Sequence, residues 1–83
     1  MANNLIERLE RAKGSDNALD IEAEIALFES DEHWKAIRAN SVNTKVIYTD
    51  WDGNEVTCLA WDWTLTPENR ADCIAALRAK GTD

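Results

Sequence analysis

Thr44-Lys45-Val46-Ile47-Tyr48-Thr49, then Asp50-Trp51-Asp52-Gly53-Asn54, then Glu55-Val56-Thr57-Cys58-Leu59-Ala60-Trp61 is the stretch that decides the fold. It reads as strand, tight turn, strand. Asp-Gly between runs rich in β-branched and aromatic residues is a strong hairpin signal, because the turn needs positive φ and glycine supplies it without steric cost. Side chains alternate across a strand, so Val46 and Tyr48 share one face and Ile47 takes the other, with the stem of Lys45. The second strand divides into Val56, Cys58 and Ala60 against Leu59 and Trp61. Large apolar groups on both faces predict a sheet at least partly covered on both sides, with Trp61 in the core.

Upstream of the hairpin, Trp34-Lys35-Ala36-Ile37-Arg38 reads as a further strand, since Asn40-Ser41-Val42-Asn43 supplies a turn into the hairpin. The three strands then form an antiparallel meander. Downstream, Trp63 is expected under a closing helix. Thr66 caps that helix, Pro67 takes its first position and Glu68 suits its positive end. Ala71, Ile74, Ala75 and Leu77 make its apolar stripe, and Gly81 stops it.

Two helices precede the sheet. Leu5, Ile6, Leu9 and Ala12 fall in one narrow sector at 100° per residue, after a cap at Asn3 or Asn4 and before a stop at Gly14. Glu7 and Arg11 pair at i,i+4 on the opposite side. Ser15-Asp16-Asn17 offers caps for a second helix over residues 18–28. Ile21, Ile25 and Phe28 mark one face of it and Leu19, Ala23 and Ala26 another, with Asp20 and Glu24 between them. Two apolar faces predict two neighbours, the sheet and the first helix. The order αα-βββ-α accounts for every segment of residues 1–83 as one α+β domain with a three-stranded antiparallel sheet.

At 83 residues the chain has room for a modest core. No apolar run reaches the roughly 20 residues a membrane span needs, and the first residues lack a signal-peptide pattern, so a cytoplasmic protein is expected. Cys58 and Cys73 fit no metal spacing and read as free thiols. The net charge is −7, and residues 1–34 carry nine acids against three bases. Such a chain does not hold nucleic acid through its phosphates, which call for the opposite sign. It can face a basic protein surface, or the charge can simply keep a small domain dissolved.

Catalytic and metal signatures are weak. His33 reads as an exposed loop residue. Asp50-x-Asp52-Gly53-Asn54-Glu55 has the oxygen donors of a calcium loop, but its Gly stands fourth and its Glu sixth, where that loop needs them sixth and twelfth. A hairpin turn explains the same residues. No nucleophile elbow, phosphate loop, dinucleotide fingerprint or zinc pattern occurs. A chain this short has little space for both a core and a pocket of the usual ~300–1,000 Å³, so a non-enzymatic protein without metal or cofactor is expected. Four tryptophans stand out in so small a chain. Trp51, at a hairpin tip between two aspartates, either anchors a partner or folds back over its own hairpin. Trp34, beside Asp31 and Glu32, is a weaker instance.

The opening Asn4-Leu5-Ile6-Glu7-Arg8-Leu9-Glu10-Arg11-Ala12-Lys13-Gly14-Ser15-Asp16-Asn17-Ala18-Leu19-Asp20, with Ala23-Glu24-Ile25-Ala26, resembles the N-terminal segment of small prophage proteins with a phage ABA-sandwich domain. The later Thr44-Lys45-Val46-Ile47-Tyr48-Thr49, Asp52-Gly53, Glu55-Val56-Thr57-Cys58 and Asp62-Trp63-Thr64-Leu65-Thr66 is similar to small bacterial and prophage proteins that share that start. This chain lacks a longer central segment of the phage domain. The resemblance implies an α/β sandwich and a mobile-element origin, and it carries no catalytic residues.

Size, acidity and this resemblance together lead to an expected function. The protein is similar to small anti-defence inhibitors, in particular anti-CRISPR proteins that cover a nucleic-acid-binding surface of a Cas complex. Asp16, Asp20, Glu24, Asp31, Glu32, Asp50 and Asp52 would pair with the partner's Lys and Arg, and Trp51 and Trp34 would anchor it. The expected partner is a host protein with a basic surface, with no direct nucleic acid and no membrane, and the chain is a monomer or weak homodimer. The alternative is a part of a phage-like particle that self-associates through the second apolar face of the second helix.

Overall fold

A computed structural model describes residues 4–81. Helix α1 spans Leu5–Arg11 and α2 spans Asn17–Leu27; strands β1 (Trp34–Ala39), β2 (Val46–Asp50) and β3 (Glu55–Cys58) follow, and α3 (Pro67–Lys80) closes the chain. The strands form an antiparallel sheet in the order β1-β2-β3. This is the α+β meander expected from the sequence, including the strand at residues 34–38.

Local signals account for most boundaries. Asp16 caps α2 by accepting a hydrogen bond from Leu19 N at 3.1 Å, and Thr66 caps α3 by accepting from Asn69 N at 3.0 Å. Pro67 opens α3, and Gly81, at φ 84°, ends it in the left-handed conformation that glycine tolerates. The first helix departs from its expected ends. Asn4 stands at its cap position but is itself left-handed and makes no side-chain cap, while Asn3 lies outside the described residues. Ala12, in extended conformation, terminates the helix before Gly14 is reached.

The core consists of two clusters on either side of α2. Leu5 and Leu9 of α1, Leu19 and Ala23 of α2, and Cys73 and Leu77 of α3 form the first, a three-helix cluster. Ile21 of α2 meets Val46 and Ala60 in the second, with Ile37, Ala39, Tyr48 and Cys58 packed around them. Burying one Leu or Ile side chain fully stabilises by about 1.5–3 kcal/mol, so Leu9, Ile21 and Leu77 dominate the packing. Of the two faces read for α2, Leu19, Ala23 and Ala26 pack in the first cluster and Ile21 in the second, while Ile25 stays exposed. In α3 the buried stripe is Cys73 and Leu77, with Ile74 partly buried, whereas Ala71 and Ala75 are exposed. Both cysteines are free thiols, and burial pushes Cys73 up to about 11.

Among the described residues the sheet is covered on one face only. Ile37, Ala39, Val46, Tyr48 and Cys58 face α2, in register across the strands. The opposite face carries Arg38, Ile47 and Thr57, and an Arg38–Glu55 ion pair at 2.9 Å crosses it. The expected cover on that side is absent among the described residues, since α2 packs on the inner face and α1 and α3 pack on α2. Strand β3 is also shorter than the sequence suggests. Trp61 lies past its end and is 53% exposed, so it is not the core residue expected. It meets Trp63 edge-on, with ring centroids 4.7 Å apart.

Between the two clusters, α2 carries a buried carboxylate. Asp20 is 3% exposed, and its Oδ1 accepts from Thr64 N and from the Thr64 hydroxyl, each at 2.8 Å. The Thr64 hydroxyl oxygen in turn accepts from Asp16 N at 2.7 Å. One threonine thus satisfies both ends of the first turn of α2 and pins the segment between β3 and α3. Thr64→Val would keep the shape but leave Asp20 and Asp16 N short of partners, a loss of about 1–3 kcal/mol. Urea unfolding should show Thr64→Val markedly less stable than Asp20→Asn, which retains the accepting oxygen.

Candidate functional site

Six of the nine residues singled out for partner contact come together at one end of the sheet. Trp34 pairs with Asp50 at the start of β1, which brings the loop at residues 31–34 beside the β2–β3 turn. Two carboxylates build these loops. Asp31 Oδ1 accepts from His33 N at 2.8 Å and Trp34 N at 2.6 Å. Asp50 Oδ1 accepts from Asp52 N and Asn54 N, both at 2.9 Å, and Gly53, at φ 90°, completes a three-residue hairpin loop. These are Asx-type turns, in which a short acid organises the backbone that follows it.

Trp51 joins the two loops. Its indole Nε1 donates to the Asp31 carbonyl at 2.8 Å, yet the residue remains 59% exposed. One edge of the ring is tethered to the neighbouring loop and the rest is open to solvent. Glu32 and Asp52 flank it as exposed acids. The tip presents an aromatic ring in a fixed position among four acids.

A bulge sets the position of Trp34. The β1–β2 register shifts between Trp34 and Ala36, which leaves Lys35 as the extra residue. Unbroken alternation would place Trp34 on the outer face with Ala36 and Arg38. The shift turns it to the inner face, where its ring lies 5.2 Å from that of Tyr48. Trp34 is accordingly half-buried, a support for the tip more than a contact surface.

The remaining three acids lie elsewhere. Asp16 caps α2 at the opposite end of the sheet, where neighbouring Asn17 donates to the Thr44 carbonyl at 3.1 Å. Asp20 is buried against Thr64 and cannot meet a partner. Glu24 is half-buried and held internally, accepting from the Tyr48 hydroxyl at 2.5 Å and from Trp63 Nε1 at 2.8 Å. Burial corrects the assignment of Asp20 as a contact residue; Glu24 is engaged within the fold, and Asp16 stays exposed but lies apart from the tip. The charge is real, but α2 turns much of it inward to meet hydroxyl and indole donors.

Two open clefts flank α2. One of about 340 Å³ is lined by Arg8, Arg11, Asp16, Leu19 and Glu22, and there Arg8 and Glu22 pair through both nitrogens and both oxygens. The other, of about 360 Å³, is lined by Glu24, Leu27, Phe28, Tyr48, Trp63 and Ala76. Both are open surface clefts and neither is an enclosed pocket. The first lies between α1 and α2, and the second where α2 and α3 meet Tyr48 of the sheet. Among the described residues no group of three or more His, Cys, Asp and Glu is placed to hold a metal ion, and no helix is long and apolar enough to cross a membrane.

Comparison with protein-family models, curated proteins and solved structures finds no match to this chain. Geometry and charge are the basis for a functional reading.

The tip carboxylates have a distinct acid response. The Trp34 and then the His33 backbone N–H hold Asp31 below its ordinary value of 3.8, and the Asn54 N–H does the same for Asp50. Asp20 moves the opposite way, because burial disfavours its charge more than Thr64 favours it. A lowered carboxylate contributes stability above its unfolded value and loses it as pH falls through the folded one; a raised carboxylate contributes below its unfolded value and loses it as pH rises. Carboxyl-carbon NMR titration should place Asp31 and Asp50 below 3.8 and Asp20 above it. The tip amides should lose dispersion on the acid side of that value, and a tip that stays ordered after Asp50 is protonated would refute this account.

Proposed function

We propose that this chain is a non-enzymatic binding protein of phage or prophage origin that covers the basic, phosphate-holding surface of a host nucleic-acid-handling protein, in the manner of an anti-CRISPR protein on a Cas complex. One observation carries the reading: Trp51 stands 59% exposed at the sheet tip among Asp31, Glu32, Asp50 and Asp52. Aromatic residues in fixed positions are favoured interface anchors, because little freedom is lost when they are covered. Charges around such an anchor steer a basic partner and set the register of docking. The hydrogen bonds of Asp31 and Asp50 keep both carboxylates ionised and in place, so the partner meets a preformed site. The mechanism is competition: tip carboxylates take the Lys and Arg that otherwise hold phosphates.

The test is capture of host proteins on the tagged chain after nuclease treatment, with washes at low and high salt. Glu32→Lys/Asp52→Lys reverses the two exposed charges and spares the turns that Asp31 and Asp50 build; Trp51→Ala removes the anchor. Each should reduce recovery of a nucleic-acid-handling protein by about tenfold or more, equivalent to ~1.4 kcal/mol. Recovery should also fall as salt shortens the screening length well below ~10 Å. Binding that resists both salt and charge reversal would overturn the reading.

Self-association is the second reading, and its basis has moved. The second apolar face of α2, Leu19, Ala23 and Ala26, packs within the helical cluster, which leaves little of it open for contact. Instead β3 and the segment after it expose Val56, Leu59, Trp61 and Leu65, with Leu59 at 71%. These flank an edge strand, whose unpaired backbone groups can extend a sheet into a second copy. Sedimentation across a hundredfold concentration range should show growing mass if this reading holds, and Leu59→Lys should abolish that growth.

A further inference from the structure

The cleft at the C-terminal half of α2 has a chemistry that the tip does not share. Phe28, Tyr48 and Trp63 contribute three aromatic rings to it, Leu27 and Ala76 contribute apolar surface, and Glu24 is its one charged lining residue. The rings are held in place. Tyr48 and Trp63 donate to opposite oxygens of the Glu24 carboxylate, and the Phe28 ring sits 6.1 Å from that of Tyr48 at 54°. The Trp34 ring also lies against Tyr48, with centroids 5.2 Å apart. The result is a space of about 360 Å³ walled by aromatic rings with one negative group against the wall.

We propose that this cleft is a binding site for a methylated ammonium group, held by the rings of Phe28, Tyr48 and Trp63 and by the charge of Glu24. Aromatic faces carry negative potential and attract cations, most strongly where water is displaced. The choice of a methylated cation follows from the hydrogen bonding. Each Glu24 oxygen already accepts from a ring donor, and the other walls are apolar or aromatic. A primary ammonium would bring three N–H donors to a wall with few acceptors and lose hydration without replacement. A trimethylammonium group has no donors to satisfy, and its methyl groups pack on the rings. The fold also seats a cation close by: Lys80 Nζ donates to the Phe28 carbonyl at 2.7 Å and lies 3.9 Å from Glu29. That ammonium lies outside the cleft lining, and its charge is offset by Glu29 and by the carbonyl. The assignment is independent of the tip reading, since neither Trp51 nor the tip acids line this cleft.

The group can belong to a free small molecule of the choline type or to a trimethylated lysine side chain. Calorimetry and proton NMR on the full chain decide. The probes are choline, its uncharged isostere 3,3-dimethylbutan-1-ol, and N-acetyl-trimethyllysine amide beside N-acetyl-lysine amide. Choline should bind saturably, with its N-methyl protons shifted upfield by the rings, while the isostere binds about tenfold more weakly or not at all. Phe28→Leu, which keeps apolar volume and removes one ring, should weaken choline by about fivefold. Glu24→Gln should weaken it further, and Trp51→Ala should leave it unchanged. Tighter binding of the trimethyllysine amide than of choline would identify a side chain as the source, and the reverse a free molecule. Equal binding of choline and its isostere, preference for unmethylated lysine, or absence of saturable shifts with the unaltered chain would overturn the proposal. Because those comparisons use the unaltered protein, they stand even if Glu24→Gln disturbs the fold. Choline binding that persists while the charge-reversed tip loses its partner would separate the two sites.

Discussion

The structure depends on α2 placing two carboxylates, Asp20 and Glu24, one turn apart along the seam between its two apolar faces. Each ties the helix to a different element. Asp20 holds Thr64, in the segment after β3, and Glu24 holds Tyr48 of β2 and Trp63 just before α3. Apolar packing alone would bring α2 to the sheet and to the other helices without fixing its rotation. Hydrogen bonds to carboxylates are directional, and an unmade one at a buried site is costly. The seam therefore sets how α2 sits, and with it the positions of both core clusters.

The acidic tip is made differently. It owes little to packing and much to local hydrogen bonding, since Asp31 and Asp50 each organise the backbone that follows them. The link between the loops is one indole bond from Trp51 and one strand pairing, Trp34 with Asp50. Such an arrangement leaves charge at the surface while restricting its motion. The cleft beside Glu24 is its counterpart inside the fold, where the carboxylate is spent on orienting rings. The same residue type thus does two jobs, and burial decides which.

Much of the fold was legible because its signals are local. The Asp52-Gly53 turn, the Thr66-Pro67 cap, the Gly81 stop and the two-faced pattern of α2 each depend on a few neighbouring residues, and each is found where expected. The errors have a common cause. Trp61 belongs in the core only if β3 runs through it, whereas the chain leaves the sheet after Cys58. The outer sheet face was expected to be covered, yet coverage depends on where helices pack, which Ile47 and Lys45 do not report. Asp20 and Glu24 were read as surface charge because a carboxylate looks the same in sequence whether it meets solvent or a threonine. The clefts have no local signature because each is formed by elements that meet only in the packed chain. A faint signal for the aromatic one existed: Tyr48 and Trp63 carry polar tips that need partners when half-buried, and Glu24 sits at the edge of an apolar face.

The sequence by itself determined the order αα-βββ-α, the hairpin, the helix caps and an acidic Trp51 at a turn, because periodicity and turn chemistry act over a few residues. Tertiary structure decided the rest. It joined residues 31–34 to the turn at residues 50–53 through a bulge at Lys35, and it enclosed Asp20 and Glu24 while leaving Glu32 and Asp52 outside. Three rings distant in the chain came together around one carboxylate. Those outcomes depend on burial and register, which are properties of the whole packed chain and not of any segment within it.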